Sequence, residues 1–550
     1  MVNYTMEKYT LLVIVVIFLV ISSCTQKRSE TTIEKGILKW DRFSHYIETF
    51  NNSDDELYQQ FIPNDRSGAF LKNNIPYFEC PDKELEKNYY FRWWTYRKHI
   101  RHTQGGFVIT EFLPDVSWSG KYNTISCPAG HHFYEGRWLH NPIFLKDYAL
   151  FWFKGEGNPQ QYSFWSADAV YRYLLVHPDR AFRDEILPLL KHNLDEWKKE
   201  RRDTGEKLFW QYDGSDGMEI TVSGAIMNGK QVFSAPSLRP TINSYMYGDL
   251  KALARLERES GLYDLAATHE KEAEVLRAEV QERLWSPELN FFHCLPRNED
   301  ADTAMVRELI GYVPWYFNLP EDGKGFDKAW KQIKDTTGFK APFGPTTVEQ
   351  RHSAFDISYE GHECQWNGPT WPFATTQTLK AMANLLRNYD QDVVSKTDYW
   401  DLLKTYTHSH TRKNDFGQTV PWIDENLNPY TGDWISRTRL KTWDKGNWSE
   451  QKGGVERGKD YNHSGFCDLI ISDLIGVRPE EGNSISIHPL LSNETWSWFC
   501  LDHLKIKNRI VTIVWDSSGN KYGVGKGFLV YVDGKLKVHQ VDLKSVIIDF

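Results

Sequence analysis

Cysteine is scarce in this sequence, with seven in 550 residues. Beyond Cys24, no two of them have the C-x-x-C spacing of a structural zinc site. The six are Cys80, Cys127, Cys294, Cys364, Cys467 and Cys500. The sequence therefore gives no support for a bound metal, and it cannot assign disulfide pairs.

An excess of positive charge is also missing, because the formal net charge is −9 at pH 7. Without a basic footprint, nucleic acid is not an expected partner. There is no regular short repeat of the kind that builds helical solenoids. What remains is a large globular chain whose 40% hydrophobic content is enough for a core.

Long apolar runs are few, and the clearest one is at the N-terminus. Lys8 precedes the apolar residues 11–20, and Ile21-Ser22-Ser23-Cys24 follows them. The run is too short to span a bilayer and is typical of a signal peptide, which we assign to residues 1–23. Residues 21–24 resemble a bacterial lipobox. This resemblance implies cleavage before Cys24 and lipidation of its thiol. The alternative is an ordinary secretory signal with an incidental cysteine.

A lipid anchor would place the protein in the bacterial cell envelope, in the periplasm or on the outer-membrane surface. We interpret the polar residues 25–35 as a tether, and residues 24–80 together as a tether and wrapping segment. The membrane, through Cys24, is then one expected partner.

Aromatic residues are abundant, with 22 tryptophans in the chain. Trp366 and Trp371 flank a Gly-Pro turn, with Asn367 and Glu363 beside them. Sugars stack their C–H faces on indole rings and need fixed polar partners for their hydroxyls. This stretch therefore predicts a carbohydrate site. The alternative is that the tryptophans only fill a core.

Helical hydrophobic periods alternate with loops along most of the chain, and their spacing suits paired helices rather than βαβ units. A short strand is expected at residues 107–112. The helical periods cover residues 82–100, 163–175, 182–200, 239–259, 262–284, 375–389, 398–406 and 465–474.

Near the C-terminus the hydrophobic period changes to two. Alternating runs occupy residues 484–487, 511–515 and 528–532, and Asp533-Gly534 after the last run is a hairpin signal. We therefore expect a mainly α chain, with paired helices over residues 81–480 and a small C-terminal β-sandwich over residues 481–550.

Two loops combine carboxylates with glycine and aromatic residues. Glycoside hydrolysis needs two carboxyl groups, one to protonate the leaving oxygen and one to activate water or to attack the sugar. Residues 209–219 contain Asp213, Asp216 and Glu219, and residues 421–432 place Glu425 between Trp422 and Tyr430. The alternatives are a solvated acidic turn or a cation-binding loop for the first, and a simple turn for the second.

These motifs resemble those of glycoside hydrolase family 63 and its mannosylglycerate-hydrolase-like relatives. Trp366-Asn367-Gly368-Pro369-Thr370-Trp371 is similar to the family's Trp-x-Gly-Pro-x-Trp element. The resemblance covers roughly residues 200–475, where the acid loop, the tryptophan loop, the base loop and a closing loop (residues 457–466) occur in the family order. It implies an (α/α)6 barrel.

The resemblance also implies roles for the carboxylates. Gly217-Met218-Glu219 is similar to the family's Ser-Gly-Met/Leu-Asp, so Glu219 takes the general-acid position, although the family usually has Asp there. Asp216 is the second choice. Glu425 matches the general base in the family's Glu-Asn-x-x-Pro-x-Thr-Gly segment.

The expected function is that of an inverting, exo-acting glycosidase for an α-linked glycan or glycoside, with an oligosaccharide or polysaccharide as substrate. No cofactor is expected, and a structural calcium ion stays open. Two other functions stay open: a non-catalytic glycan-binding lipoprotein, and a polysaccharide lyase with His131, Tyr245 or His463 as base. Further expected sugar-binding residues are Arg239, Asn243, Tyr245, Trp422, His463, His131 and Trp93.

Overall fold

The computed structural model describes residues 33, 36–222, 225–298, 300–442 and 452–550. The predicted signal peptide and Cys24 lie outside these ranges. Within them, no helix is both long enough and apolar enough to cross a membrane. All six cysteines after Cys24 are free thiols.

Helices form most of the regular structure up to residue 475. The α-helices, numbered in chain order, are α1 Ser44–Ser53, α2 Asn64–Asn74, α3 Lys83–Lys98, α4 Ala129–Gly136, α5 Ile143–Phe153, α6 Ser166–Val176, α7 Arg180–Arg201, α8 Pro240–Glu259, α9 Tyr263–Glu279, α10 Val313–Tyr316, α11 Pro372–Asn388, α12 Lys396–Ser409 and α13 Ile435–Thr442. Shorter 3₁₀ or π turns lie at Trp40–Arg42, Lys121–Asn123, Gly214–Asp216, Val280–Leu284, Leu309–Tyr312, Phe326–Ile333 and Leu469–Leu474.

The helices are arranged in two concentric rings. Among the described residues, neighbouring inner elements pack in the order α4, α6, α8, α10, α11 and Leu469–Leu474, which we name the closing helix. The outer elements that pack on them are α3, α5, α7, α9, α12 and Phe326–Ile333, whose Trp330 stacks on Tyr312. Six inner and six outer elements form an (α/α)6 toroid, which confirms the expected fold.

Polar contacts join the closing helix to α4 and so complete the inner ring. The Glu135 carboxylate accepts hydrogen bonds from the backbone N–H groups of Phe466, Cys467 and Asp468 at 2.8–3.2 Å. An anion at a helix start satisfies donors that have no partner within the helix. Arg137 also pairs with Asp468 at 2.7 Å.

Two inner helices begin with proline, which fixes where the preceding loops end. Pro240 opens α8 and Pro372 opens α11, at a position where the missing N–H costs nothing. Arg239 and Trp371 are therefore held at the N-terminal ends of two inner helices, which α10 separates in the ring. The predicted site loops lie together at this end of the barrel.

The strands, in chain order, are short until the C-terminal region. They are β1 Tyr77–Glu79, β2 Ile100–Thr103, β3 Gly106–Ile109, β4 Trp210–Gln211, β5 Ala225–Met227, β6 Lys230–Val232, β7 Ser237–Leu238, β8 Trp285–Ser286, β9 Phe291–Phe292, β10 Leu295–Pro296, β11 Asp302–Thr303, β12 Thr411–Lys413, β13 Thr419–Pro421, β14 Val477–Pro479, β15 Ser484–Ile487, β16 Trp498–Ile506, β17 Arg509–Asp516, β18 Gly527–Val532, β19 Lys535–Gln540 and β20 Val546–Asp549.

The C-terminal strands form two antiparallel sheets, in the orders β1-β16-β17-β18-β19 and β14-β15-β20. Asp533 and Gly534 make the β18–β19 turn, both with positive φ, as the sequence predicts. One edge strand, β1, comes from the predicted wrapping segment, with Tyr77 opposite Asp502. The Asp502 carboxylate also accepts from the backbone N–H of Leu38 at 2.7 Å. The N-terminal segment is therefore built into this sheet, while the domain boundaries themselves stay a prediction.

Candidate active site

Glu219 lies in a backbone turn that few sequences could adopt. Gly217 has φ +71°, and a Cβ there would lie 2.3 Å from Cys127 Sγ, so only glycine fits. Ile220 has φ +62°, which is unusual for a β-branched residue. Strain of this kind is common at functional sites. The Glu219 carbonyl oxygen accepts from Trp366 N–H at 3.0 Å, which joins the acid loop to the tryptophan loop.

The Glu219 carboxyl has the environment of a proton donor. It is half-buried. Burial raises its pKa to about 8, and the negative charges of Asp213, Glu425 and Glu363 add to this effect. Glu219 therefore holds its proton at neutral pH.

The Glu425 carboxyl lies in the opposite environment. It is fully buried, accepts from Arg457 Nε at 2.7 Å and contacts the Cys364 thiol at 3.3 Å. Its loop is fixed to the tryptophan loop, since Thr370 and Leu427 exchange two backbone hydrogen bonds of 3.0 Å. A carboxylate held by a guanidinium is placed to accept a proton from water.

Two more carboxyls belong to this cluster: Glu363, which the sequence places beside the tryptophans but which was given no catalytic role, and Glu111, which the motif reasoning missed. Burial raises the pKa of Glu111 to about 8, a hydrogen bond from Tyr461 opposes this, and the charges of Glu425 and Glu219 raise it further. Glu363 is fully buried and pairs with Lys452 and with Arg457. Burial raises its pKa, but these cations outweigh burial and the net pKa is lowered.

The sequence signals for these two differ. Glu363 stands next to the tryptophan motif and could have been chosen on that ground. Glu111 follows a short strand with no turn or motif around it, so only the three-dimensional fold brings it to the site.

One group of potential metal ligands lies beside Glu425. Side-chain ligand atoms of His362, Glu363 and Cys364 are within 4.8 Å of one another. However, Lys452 and Arg457 already bring two positive charges to Glu363. A cation would be repelled there, so this donor set does not fit a metal ion.

Three predicted residues support the acid loop from behind. Asp216, the alternative acid, is fully buried and accepts from Arg239 Nε at 2.6 Å and from the Thr241 hydroxyl. Asn243 exchanges hydrogen bonds with the backbone of Phe209 at 2.8 Å. Asp213 accepts from Thr221 N–H at 3.1 Å and from Ser234, so the loop is a buried network rather than a solvated turn.

The two predicted indole platforms stack on each other. The ring centroids of Trp366 and Trp371 are 4.3 Å apart at 16°, and the residues are 2% and 3% exposed. The ring centroid of His463 is 5.9 Å from that of Trp371 and 3.8 Å from that of Tyr461. Burial and the neighbouring His131 lower the pKa of His463 well below its usual value, so it is neutral.

The remaining predicted residues lie at different depths in the toroid. His131 packs edge-on to Phe373, and burial lowers its pKa to about 3. The Tyr245 hydroxyl accepts from Gln377 at 2.8 Å. The guanidinium groups of Arg412 and Arg437 both lie over the ring of Trp422. Trp93, in α3, packs edge-on against Tyr89 and Tyr96.

Several predicted binding residues have a buried polar atom without a hydrogen-bond partner. Among the described residues these atoms are Trp366 Nε1, Asn367 Oδ1, His131 Nε2, Trp93 Nε1 and both ring nitrogens of His463. Buried polar groups are nearly always satisfied in folded proteins, by protein, water or ligand. The role of these residues in binding stays a prediction, but unused donors and acceptors are what a sugar hydroxyl requires.

A helical toroid with a buried group of carboxyls, two with raised pKa values and two paired with Arg457, is an architecture suited to glycoside hydrolysis. The family model of the mannosylglycerate hydrolase MGH1-like glycoside hydrolase domain matches residues 121–464. The chain belongs to this family, which confirms the resemblance drawn from its motifs.

Solved structures of three proteins are similar to this chain. A protein named sialidase is 40% identical with a TM-score of 0.82, over 93% of this chain and 45% of that chain. This chain therefore spans less than half the length of that relative. A GH78 family rhamnosidase of Bacillus sp. GL1 is 12% identical with a TM-score of 0.50, over 81% of this chain and 41% of that one. A GH63 mannosylglycerate hydrolase of Thermus thermophilus is 14% identical with a TM-score of 0.38, over 56% of this chain and 73% of that one.

Proposed function

We propose that this glycoside hydrolase inverts the anomeric configuration of an α-linked glycan, with Glu219 as general acid and Glu425 as general base. The observation that carries the proposal is the contrast between the two carboxyls. The pKa of Glu219 is raised to about 8, whereas Glu425 accepts from Arg457. A carboxyl with a raised pKa suits the role of acid, and a carboxyl oriented by a guanidinium is placed to act as base.

In this mechanism, Glu219 gives its proton to the glycosidic oxygen as the bond to the anomeric carbon breaks. Glu425 takes a proton from a water molecule, whose oxygen forms the new bond on the opposite face of the sugar. Inversion requires space for that water, about 6.5–9.5 Å between the carboxyls. Our preference for inversion rests on the family motifs around Glu219 and Glu425.

We further propose exo action, because the carboxyl cluster is enclosed. Glu425 and Glu363 are fully buried, and Glu111 is nearly so. An enclosed site admits the end of a glycan more readily than the middle of a polymer. The buried unpartnered atoms of Trp366, Asn367 and His131 would bind the terminal sugar. This chemistry uses no cofactor.

The cellular setting belongs to the same proposal. A lipidated Cys24 would hold the enzyme at the cell envelope, where it meets glycans from outside. The test for the anchor is metabolic labelling with a palmitate analogue. Label in the wild type but not in Cys24→Ser supports lipidation, and label in neither contradicts it.

The activity is tested with a chain that starts at residue 25. Wild type and Glu425→Gln are incubated with α-linked oligosaccharides, sialosides and uronic-acid polymers, and fresh products are followed by proton NMR. We expect the β-anomer from an α-linked substrate, released only by wild type. Release of the α-anomer would contradict inversion, products from mid-chain cleavage would contradict exo action, and an unsaturated uronate would identify a lyase instead.

A further inference from the structure

A second cavity lies at the end of the barrel opposite the carboxyl cluster. It has a volume of about 550 Å³ and is lined by the C-terminal parts of α6, α8 and α11 and by the β14–β15 hairpin. We name it the basal cavity. The acid loop precedes α8, whereas Arg255 on the cavity wall is near the end of that helix. At 1.5 Å per residue, roughly 24 Å of helix separate Arg239 from Arg255.

Basic side chains outnumber carboxylates on the wall of the basal cavity. Six basic side chains line it, against two carboxylates, Glu480 and Glu481. Both carboxylates have hydrogen-bond donors on the wall itself, Ser486 at 2.5 Å and Tyr171 at 2.9 Å. The basic residues are Arg137, Arg172, Arg255, Lys380, Arg387 and Arg478.

Buried aspartates behind the wall offset part of this charge. Asp473 pairs with Arg478 at 2.9 Å and with Arg387 at 3.1 Å, and Asp468 pairs with Lys380 at 2.8 Å. Yet the cations still repel one another. Burial and then the neighbouring Arg478 lower the pKa of Arg387 to about 10. An anion in the cavity would relieve this repulsion.

Two of the guanidinium groups on the wall are partly exposed. The Arg172 and Arg255 side chains are partly exposed, and their ion pairs, to Asp168 at 3.2 Å and to Glu481 at 3.8 Å, leave other N–H donors available. Guanidinium groups bind tetrahedral oxyanions through paired N–H donors. The volume lies in the range of small-molecule sites, about 300–1,000 Å³.

We propose that the basal cavity is a binding site for a small oxyanion, a phosphate or sulfate group that is free or carried on a sugar. It is separate from the carboxyl cluster, and the inference does not depend on the proposed reaction. The same guanidinium groups can bind phosphate and sulfate. Direct binding measurements distinguish a free anion from one carried on a sugar.

The test is titration calorimetry with inorganic phosphate, inorganic sulfate, glucose 6-phosphate and glucose 6-sulfate, at constant ionic strength set by sodium chloride. We expect saturable binding of at least one probe to wild type. The double variant Arg172→Gln/Arg255→Gln should weaken it at least tenfold. Arg180→Gln is the matched control, because Arg180 is exposed on α7 and is not part of the cavity wall.

Glu425→Gln serves as a second control and should bind the probe as wild type does, whatever its effect on hydrolysis. Circular dichroism verifies that each variant is folded. If the double variant does not fold, Arg255→Gln alone takes its place. The proposal is overturned if none of the four probes binds, or if binding is unchanged when the cavity arginines are replaced.

Discussion

At the scale of single residues, the proposed roles of Glu219 and Glu425 can be separated by the leaving group. Fluoride leaves without a proton, so Glu219→Gln should lose about 10²–10⁴-fold in kcat/KM on a natural glycoside but stay within about tenfold of wild type on the matching glycosyl fluoride. Glu425→Gln should lose activity on both, because water still needs a base. Equal losses of Glu219→Gln on the two substrates would remove Glu219 from the acid role.

Glu111 should tune the pH dependence of the acid. Because the pKa of Glu219 is raised to about 8, kcat/KM should fall as pH rises through about 8 and the proton is lost. Glu111 and Glu219 repel each other when both are charged. Replacing Glu111 with Gln removes a carboxyl whose charge develops in the same pH range, so the pKa of Glu219 should fall and the alkaline limb should move to lower pH.

The control for this shift is Asp115→Asn, which removes a mostly exposed carboxylate four residues along the chain. The pH profile of kcat/KM for Asp115→Asn should match that of wild type. An alkaline limb that does not move in Glu111→Gln would show that Glu111 does not act on the proton of the acid.

The motif residues and the cluster residues show how far sequence reasoning could reach at this scale. Glu219 and Glu425 were predicted because each lies in a loop with a recognisable local pattern, and their catalytic roles stay predictions. Glu111 was not, because its role depends on contacts with residues far away in the chain. The indoles of Trp366 and Trp371 were expected as open platforms, but whether two nearby tryptophans face a ligand or each other is decided by packing.

At the scale of secondary-structure elements, Glu135 should determine whether the inner ring closes. Its carboxylate is buried and holds three N–H groups at the start of the closing helix. Glu135→Ala leaves these donors unsatisfied and should destabilise the fold by about 3 kcal/mol or more. Glu135→Gln, which keeps one acceptor oxygen, should cost less.

Urea unfolding followed by fluorescence measures the difference, with Glu288→Gln in an exposed loop as the control. If Glu135→Ala unfolds at the same urea concentration as this control, the cap contributes nothing to ring closure. The helices themselves were predictable, since α8 and α11 show clear apolar periods. Their closure into a ring was expected only from the family resemblance, because no local pattern in residues 129–136 points to residues 466–468.

At the scale of the whole molecule, the N-terminal segment, the toroid and the C-terminal sheets should unfold as one unit. β1 forms an edge of the sheet that contains β16, and Asp502 in β16 binds the backbone of Leu38. Helix α1 packs on α3, which is buried along most of its length. A chain that starts at residue 81 would lose these contacts and expose both a strand edge and an apolar helix face.

We therefore expect the chain 81–550 to aggregate or to unfold well below the temperature of the chain 36–550. Calorimetry of 36–550 should show a single transition. Asp502→Ala is a milder change, because it removes the hydrogen-bond acceptor for the backbone of Leu38 but leaves β1 in place. Its melting temperature should lie between those of the chains 36–550 and 81–550. A chain 81–550 that melts at the same temperature as 36–550 would mean that the wrapping segment contributes no stability, and two resolved transitions would mean that the sheets and the toroid fold independently.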